Sequence, residues 1–244
     1  MTRDAARLQG LVGSDRPLTW VFTGDSITHG LIHTRGARNY VDHLHELIRG
    51  DLGRVQDVVI NTAITGWRAD LILGDFDRRV ADWRPDVVTL MIGTNDCTTQ
   101  WLDPAIEPDD FEASIAVFVR RVRESDALPV LQTPPAVDLL HAPDRARIGD
   151  FAQRIRDVAA REGVVLVDQH ARFTAFSAGT GPGNEGTPWG LLDDAFHPNA
   201  AGHALIALEL ARALGVDAVV PRSRVMTELA ARVAVAEHPQ WPPA

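Results

Sequence analysis

Residues 21–30 read VFTGDSITHG: an apolar, β-branched run that stops at Gly24-Asp25-Ser26. Such a run is either a strand closed by an ordinary turn or a strand that holds a serine hydroxyl out at the end of a sheet. The choice depends on whether the pattern recurs. It does, because Thr19–Thr23 is followed by similar runs at Val58–Asn61, Val87–Ile92, Val130–Thr133 and Val164–Asp168. All five are nearly continuous in apolar character rather than alternating, as expected of strands covered on both faces.

Between these runs the apolar spacing changes to that of a helix. Val41, Leu44, Leu47 and Ile48 form one stripe. Phe111, Ile115, Phe118, Val119 and Val122 form a second, and Phe151, Ile155, Val158 and Ala159 a third. Pro108-Asp109-Asp110 and Pro143-Asp144 are start signals for the second and third. Pro85 and Pro129 stand ahead of the third and fourth strands and close the helical regions before them. Strands alternating with helices imply right-handed crossovers, and so an α/β fold in which a parallel sheet lies between two helical layers. No linker composition and no internal repeat divides residues 1–244. We expect one domain, with a core of about residues 17–215 and a C-terminal helix over about 222–236. The steps Val225, Leu229 and Val233 suit packing on the domain or an oligomer contact.

Composition narrows the function. The formal net charge is −9, and no block of consecutive Lys or Arg occurs. This gives no electrostatic footprint for nucleic acid and disfavours an anionic membrane surface. No apolar run approaches the ~20 residues of a membrane span. The N-terminal stretch lacks the apolar centre of a signal peptide, so a cytoplasmic protein is expected. Cys97 is the only cysteine, which rules out an intramolecular disulfide and a cysteine-based metal site. His43 and His45 are two apart, off a common helical face, and are expected to be solvated rather than metal ligands. No metal or cofactor is expected.

In an open parallel sheet, ligands bind beyond the carboxyl ends of the strands. Asp25 and Ser26 follow the first strand; Asn61 and then Gly66-Trp67-Arg68 follow the second; Gly93-Thr94-Asn95-Asp96 follows the third. Late in the chain stands Asp194-Ala195-Phe196-His197-Pro198. These residue types fit acyl transfer. A serine hydroxyl needs an adjacent base, and the base needs an acceptor to fix its tautomer. Asp194 is three residues before His197, close enough to meet its ring. The Ser26 and Gly66 N–H groups and the Asn95 amide can supply donors for an oxyanion. Each piece alone has a plain alternative: Ser26 as a turn serine, Asn95-Asp96 as an Asx turn, Gly66 as a helix cap.

Four blocks in register resemble the SGNH hydrolases, the GDSL esterase/lipase family. They are Gly24-Asp25-Ser26-Ile27, Asn61-Thr62-Ala63-Ile64-Thr65-Gly66, Gly93-Thr94-Asn95-Asp96 and Asp194-Ala195-Phe196-His197. Ile27 stands where the family name has leucine, and Ala63 where glycine is frequent; neither change touches a catalytic atom. The resemblance implies a flavodoxin-like three-layer α/β/α sandwich with a five-stranded sheet of order 2-1-3-4-5. It also implies Ser26 as nucleophile, His197 as base, Asp194 as its orienting acid, and Ser26, Gly66 and Asn95 as the oxyanion hole.

The expected activity is that of a serine esterase acting through an acyl-enzyme. Short acyl groups, acetyl above all, and carbohydrate esters are favoured because the segments around the site are polar. Asp25, Trp67 and Trp189 are further substrate-binding candidates, and Trp101 lies near by position. The glycine-rich stretch 177–190 is a loop and a candidate lid. His29, His33, Arg35 and Arg38 either line the entrance or form a solvated loop. His170 and Cys97 read as structural. Competing functions are a thioesterase or lysophospholipase with the same residues, a non-catalytic ligand-binding relative, and a receiver or nucleotide binder using Asp25. No Gly-x-Ser-x-Gly elbow or phosphate loop is present.

Overall fold

A computed structural model describes residues 3–100, 105–179, 189–216 and 223–237. The apolar runs form strands β1 (Thr19–Gly24), β2 (Val58–Asn61), β3 (Val87–Met91), β4 (Leu128–Gln132) and β5 (Val165–Val167). All neighbours pair in parallel, in the order β2-β1-β3-β4-β5. The helices are α1 (Arg3–Val12), α2 (Ser26–His29), α3 (Tyr40–Glu46), α4 (Ala69–Gly74) and α5 (Phe76–Arg79). They continue with α6 (Pro108–Glu124), α7 (Ile148–Glu162), α8 (Gln169–Gly179), α9 (Ala200–Leu214) and α10 (Arg224–Glu237).

Alternation along the strands divides the core in two. Trp20 and Phe22 of β1 point into one cluster, with Leu8 of α1, Leu44 of α3, Phe173 of α8, Leu208 of α9 and Leu229 of α10. Val21, between them, points into the other, with Ile72 of α4, Phe76 of α5, Phe118 of α6 and Phe151 of α7. This is the three-layer sandwich. Each fully buried side chain of this size contributes roughly 1.5–3 kcal/mol of transfer free energy.

Several boundaries differ from the sequence reading. Pro129 lies inside β4, opposite Val88, rather than ahead of it. The strand tolerates it because β5 pairs only from Val130 onward, so the missing N–H faces no ladder partner. Pro143 opens a separate 3₁₀ turn, Pro143–Arg145, and α7 starts at Ile148. The stripe through Leu47 and Ile48 is carried past α3 by a π turn, Leu47–Asp51. β2 is an edge strand, with Val58 about half exposed. Helix α1 was not anticipated; it docks by Leu8, and its Asp4 pairs with Arg123 of α6 at 2.9 Å. His43 is buried rather than solvated.

Val225, Leu229 and Val233 of α10 are buried in the cluster shared with α9, so this stripe is covered within the chain. Ser223, just ahead of α10, hydrogen-bonds the Asp51 carboxylate. Residues 177–179 of the expected loop belong to α8, and Trp189 begins a 3₁₀ turn, Trp189–Leu191; residues 180–188 and Trp101 lie outside the described residues. Among the described residues, no helix is long and apolar enough to cross a membrane.

At the carboxyl end of β1 there is no room for a side chain between β1 and β3. Gly24 pairs with Met91 and has φ +154°, and a Cβ there would sit 2.1 Å from the Met91 carbonyl oxygen. We expect Gly24→Ala to destabilise the fold by about 3 kcal/mol, since overpacking and backbone strain each cost roughly 1–3 kcal/mol. Urea unfolding checks this; an unchanged midpoint would show that β1 and β3 separate without cost.

Candidate active site

The chain leaves β1 directly into α2, a helix of four residues. Asp25 caps it, its Oδ1 accepting from the Ile27 N–H at 2.9 Å. The free carbonyls at the other end are satisfied from outside. Asn61 Nδ2 donates to the Thr28 carbonyl at 2.6 Å, and Asn39 Nδ2 donates to the carbonyls of Thr28 and His29. The Thr28 hydroxyl is hydrogen-bonded to the buried Tyr40 hydroxyl at 2.8 Å. Ser26 therefore stands on a short helix held from all sides, at the switch point between β1 and β3.

Two further segments meet it there. The turn after β2 is tied to β1 by the Thr62 and Ile64 N–H groups, which donate to the carbonyls of Phe22 and Gly24. Gly66 in this turn has φ +79°. A Cβ at Gly66 would touch nothing within 4 Å, so the left-handed backbone, not crowding within the chain, accounts for the glycine. The segment after β3 holds the same turn in place. Asn95 Nδ2 donates to the Trp67 carbonyl at 3.0 Å, and Asp96 Oδ1 accepts from the Ala69 N–H at 2.8 Å.

The fourth segment, Leu192–Pro198, closes on itself through an antiparallel bridge and a bond from the Asp193 N–H to the His197 carbonyl. Asp194 Oδ1 accepts from the N–H groups of Phe196 and His197, at 2.9 and 2.8 Å. Its Oδ2 is 2.7 Å from His197 Nδ1, and His197 Nε2 is 2.8 Å from Ser26 Oγ. Arg145 lies over the Phe196 ring at 3.8 Å, and the Asp138 N–H donates to the Ala195 carbonyl. Asn199 caps α9 and fixes where the turn ends.

Ser26, His197 and Asp194 thus form one hydrogen-bonded chain, with Gly66 and Asn95 on the adjoining segments. Asp25 is differently placed from a substrate contact: it is fully buried, and its visible task is to cap α2. Trp67 is half-buried against the α4–α7 layer, with the Arg79 guanidinium over its ring at 4.9 Å. The Trp189 side chain lies outside the described residues. His29 bonds Thr65 at 3.0 Å, Arg35 pairs with Asp193 at 3.1 Å, and Arg38 pairs with Glu46. His33 stacks on His197, a contact that helical or strand spacing could not reveal. Cys97 is buried and its thiol is pushed up to about 12, chiefly by burial.

The carboxylates fall into two kinds. Burial works to raise Asp194, but hydrogen bonds from His197 Nδ1 and two backbone N–H groups outweigh it and hold the carboxyl well below the usual range. Burial wins at Asp25, raising it to about 6 against the Ile27 N–H and nearby His197. It wins more strongly at Asp96, raised to about 7, where the charges of Asp25 and Asp70 add repulsion. Asp96 Oδ2 has no hydrogen-bond partner among the described residues.

A family model described as the GDSL-like lipase/acylhydrolase family matches residues 22–205. The chain belongs to this family and is a carboxylic ester hydrolase. An acetylxylan esterase from Geobacillus stearothermophilus is 26% identical over 227 residues, covering 87% of this chain and 99% of the relative. A crystal structure of that esterase superposes with a TM-score of 0.68 at 24% identity, over 81% of this chain and 94% of its own. A lipase/acylhydrolase from Enterococcus faecalis has the same fold, with a TM-score of 0.64 at 24% identity over 80% and 94% of the two chains. A 78-residue stretch is 41% identical to an uncharacterised Mycoplasma pneumoniae protein, covering 32% of this chain and 9% of that much longer one.

The raised pKa of Asp96 has a definite sign in stability. The folded state binds this proton more tightly than the unfolded chain, so the contribution is full below about 4 and lost as pH rises through about 7. Asp96→Asn keeps an oxygen for the Ala69 N–H and removes the titration. Its stability relative to the parent should therefore rise between pH 4 and 7 and level off above. Urea midpoints across that range test this; a difference independent of pH would place the Asp96 proton elsewhere.

Proposed function

We propose that this chain is a serine esterase that removes acetyl groups from carbohydrate esters through an acyl-enzyme on Ser26. The observation that carries the reading is the chain Ser26 Oγ–His197 Nε2–His197 Nδ1–Asp194 Oδ2, with links of 2.8 and 2.7 Å. Ser26 Oγ attacks the ester carbonyl while its proton passes to His197 Nε2. The ionised Asp194 fixes the tautomer and stabilises the imidazolium. The oxyanion of the tetrahedral intermediate is received by the N–H groups of Ser26 and Gly66 and by the second amide hydrogen of Asn95, whose first is held by the Trp67 carbonyl. His197 then gives its proton to the departing alkoxide. Water, activated by the same base, releases acetate and restores Ser26.

The choice of acetyl rests on the similarity to an acetylxylan esterase and on the tight cover of the site, where Ser26 is 4% and His197 6% exposed. In that esterase a serine and an aspartate substitution are each catalytic mutants, which agrees with the roles given to Ser26 and Asp194. One observation favours a longer acyl chain: Leu31 and Ile32, on the turn that carries His33, are 63% and 83% exposed.

Ser26→Ala should abolish hydrolysis and fluorophosphonate labelling without loss of fold; wild-type turnover would remove Ser26 from the mechanism. A series of p-nitrophenyl esters from acetate to palmitate, with acetylated xylo-oligosaccharides beside it, should give its highest kcat/KM at acetate. A maximum at eight carbons or more would select the lipase reading. Asn95→Ala should lower kcat by on the order of 10²–10³ with little change in KM. A change confined to KM would make Asn95 a ground-state contact.

A further inference from the structure

His197 meets Ser26 and Asp194 through its two ring nitrogens, and those bonds leave the ring free to rock about the line joining them. The faces of the ring are where that motion is restrained. The imidazole of His33 lies on it, with centroids 3.9 Å apart and planes within 18°. Phe196 lies against it as well, at 4.5 Å and tilted by 46°.

His33 is held in this place deliberately by its neighbours. It belongs to a 3₁₀ turn, Leu31–Thr34, whose first residue, Leu31, and C-cap, Arg35, are non-glycine residues at positive φ, 52° and 49°. The Thr34 hydroxyl closes the turn on the Leu31 carbonyl at 2.8 Å. Arg35 Nε pairs with Asp193 Oδ2 at 3.1 Å, tying the turn to the residue before Asp194. At the other end, His29 Nδ1 is 3.0 Å from the Thr65 hydroxyl, beside Gly66. The turn is therefore anchored to both segments that meet at Ser26.

The ring itself is used by its face. Its Nε2 is buried and has no hydrogen-bond partner among the described residues, an arrangement that is unfavourable for a side chain placed only to pack. Burial, with the neighbouring His197 and His29, lowers the pKa of His33 against the pull of Asp194 and so favours the neutral ring. A neutral aromatic face attracts a cation set against it.

We propose that His33 is a positioning residue for the general base. Its ring holds the His197 imidazole in the plane that joins Ser26 to Asp194, and its face meets the positive charge that forms there. This rests on the reading of Ser26, His197 and Asp194 as the reacting groups. The proton still moves from Ser26 Oγ to His197 Nε2 and on to the leaving oxygen; His33 takes none of it. A misplaced base loses rate rather than affinity.

The test is the kinetics of His33→Ala and His33→Phe on p-nitrophenyl acetate, with fluorophosphonate labelling rates and thermal unfolding on the same samples. His33→Ala should lower kcat by roughly 10- to 100-fold, leave KM within about twofold, and slow labelling in parallel. His33→Phe keeps a ring face without nitrogens and should restore most of that loss. Wild-type kcat in a folded His33→Ala overturns the proposal. So does a folded His33→Phe that is as slow as His33→Ala, or one whose defect lies in KM, since the nitrogens would then serve the substrate. If His33→Ala does not fold, His33→Phe decides alone, and a kcat more than about tenfold below the parent overturns the proposal. Hydrolysis surviving in Ser26→Ala would instead overturn the reading of the site; an inactive Ser26→Ala beside a fully active His33→Ala removes only the role of His33.

Discussion

A helix of four residues cannot hold a side chain in a fixed place by itself. Most of its backbone groups have no partner within the helix, and nucleation is unfavourable at this length. Helix α2 exists because other segments supply what it lacks. Asp25 takes an N–H at its start, and Asn39 and Asn61 take the carbonyls at its end. The close packing of Gly24 on Met91 fixes where it begins. The polar partners of α2 come from the β1–β2 connection (Asp25, Asn39 and Tyr40), the end of β2 (Asn61), the turn after it (Thr65) and the segment after β5 (His197), so Ser26 is placed by several segments of the upper edge of the fold.

Around that edge, similar carboxyl groups are given opposite states by their surroundings. Asp194 accepts three hydrogen bonds and is held ionised. Asp25 and Asp96 are fully buried, each with a single backbone N–H on Oδ1, and both are raised. Deeper burial of Asp25 and Asp96, together with the three hydrogen bonds at Asp194, separates an ionised acid from acids whose protonation burial favours. Asp96 adds a second function by joining the segment after β3 to the start of α4. The turn that bears Gly66 is thereby gripped twice, by Asn95 on the Trp67 carbonyl and by Asp96 on the Ala69 N–H.

The strands and the Ser26, Asn95 and Asp194–His197 blocks were legible in the sequence because each is a local pattern. β-branched runs mark covered strands, and a short polar cluster after each marks the functional edge. What escaped was set by tertiary context. Pro129 reads as a boundary, yet a strand end with one vacant flank admits it. Helix α1 has an amphipathic face, but its docking depends on Leu8 meeting a core built from distant segments. His43 reads as surface by its neighbours and is buried because α3 packs on α9. His33 follows Leu31 and Ile32 in a stretch with neither helical nor strand periodicity, and its contact with His197 joins positions 164 residues apart.

The segment GLIHTRG, residues 30–36, shows how such a contact is sustained. Gly30 and Gly36 absorb positive φ without strain, but Leu31 and Arg35 adopt it too. The left-handed region costs an ordinary residue about 1–2 kcal/mol, so the turn carries roughly 2–4 kcal/mol of strain. Against this stand the Arg35–Asp193 pair, largely exposed and worth at most about 1 kcal/mol, and the ring stack at about 0.5–1.5 kcal/mol. The two sides come within a few kcal/mol of each other, so these tertiary contacts offset much of the strain. Both of these contacts are made to the Asp193–His197 segment, beside the Thr34 bond within the turn and the His29–Thr65 bond to the turn that bears Gly66. The conformation of this turn and the orientation of the His197 ring are therefore coupled, and a change in either is felt by the other.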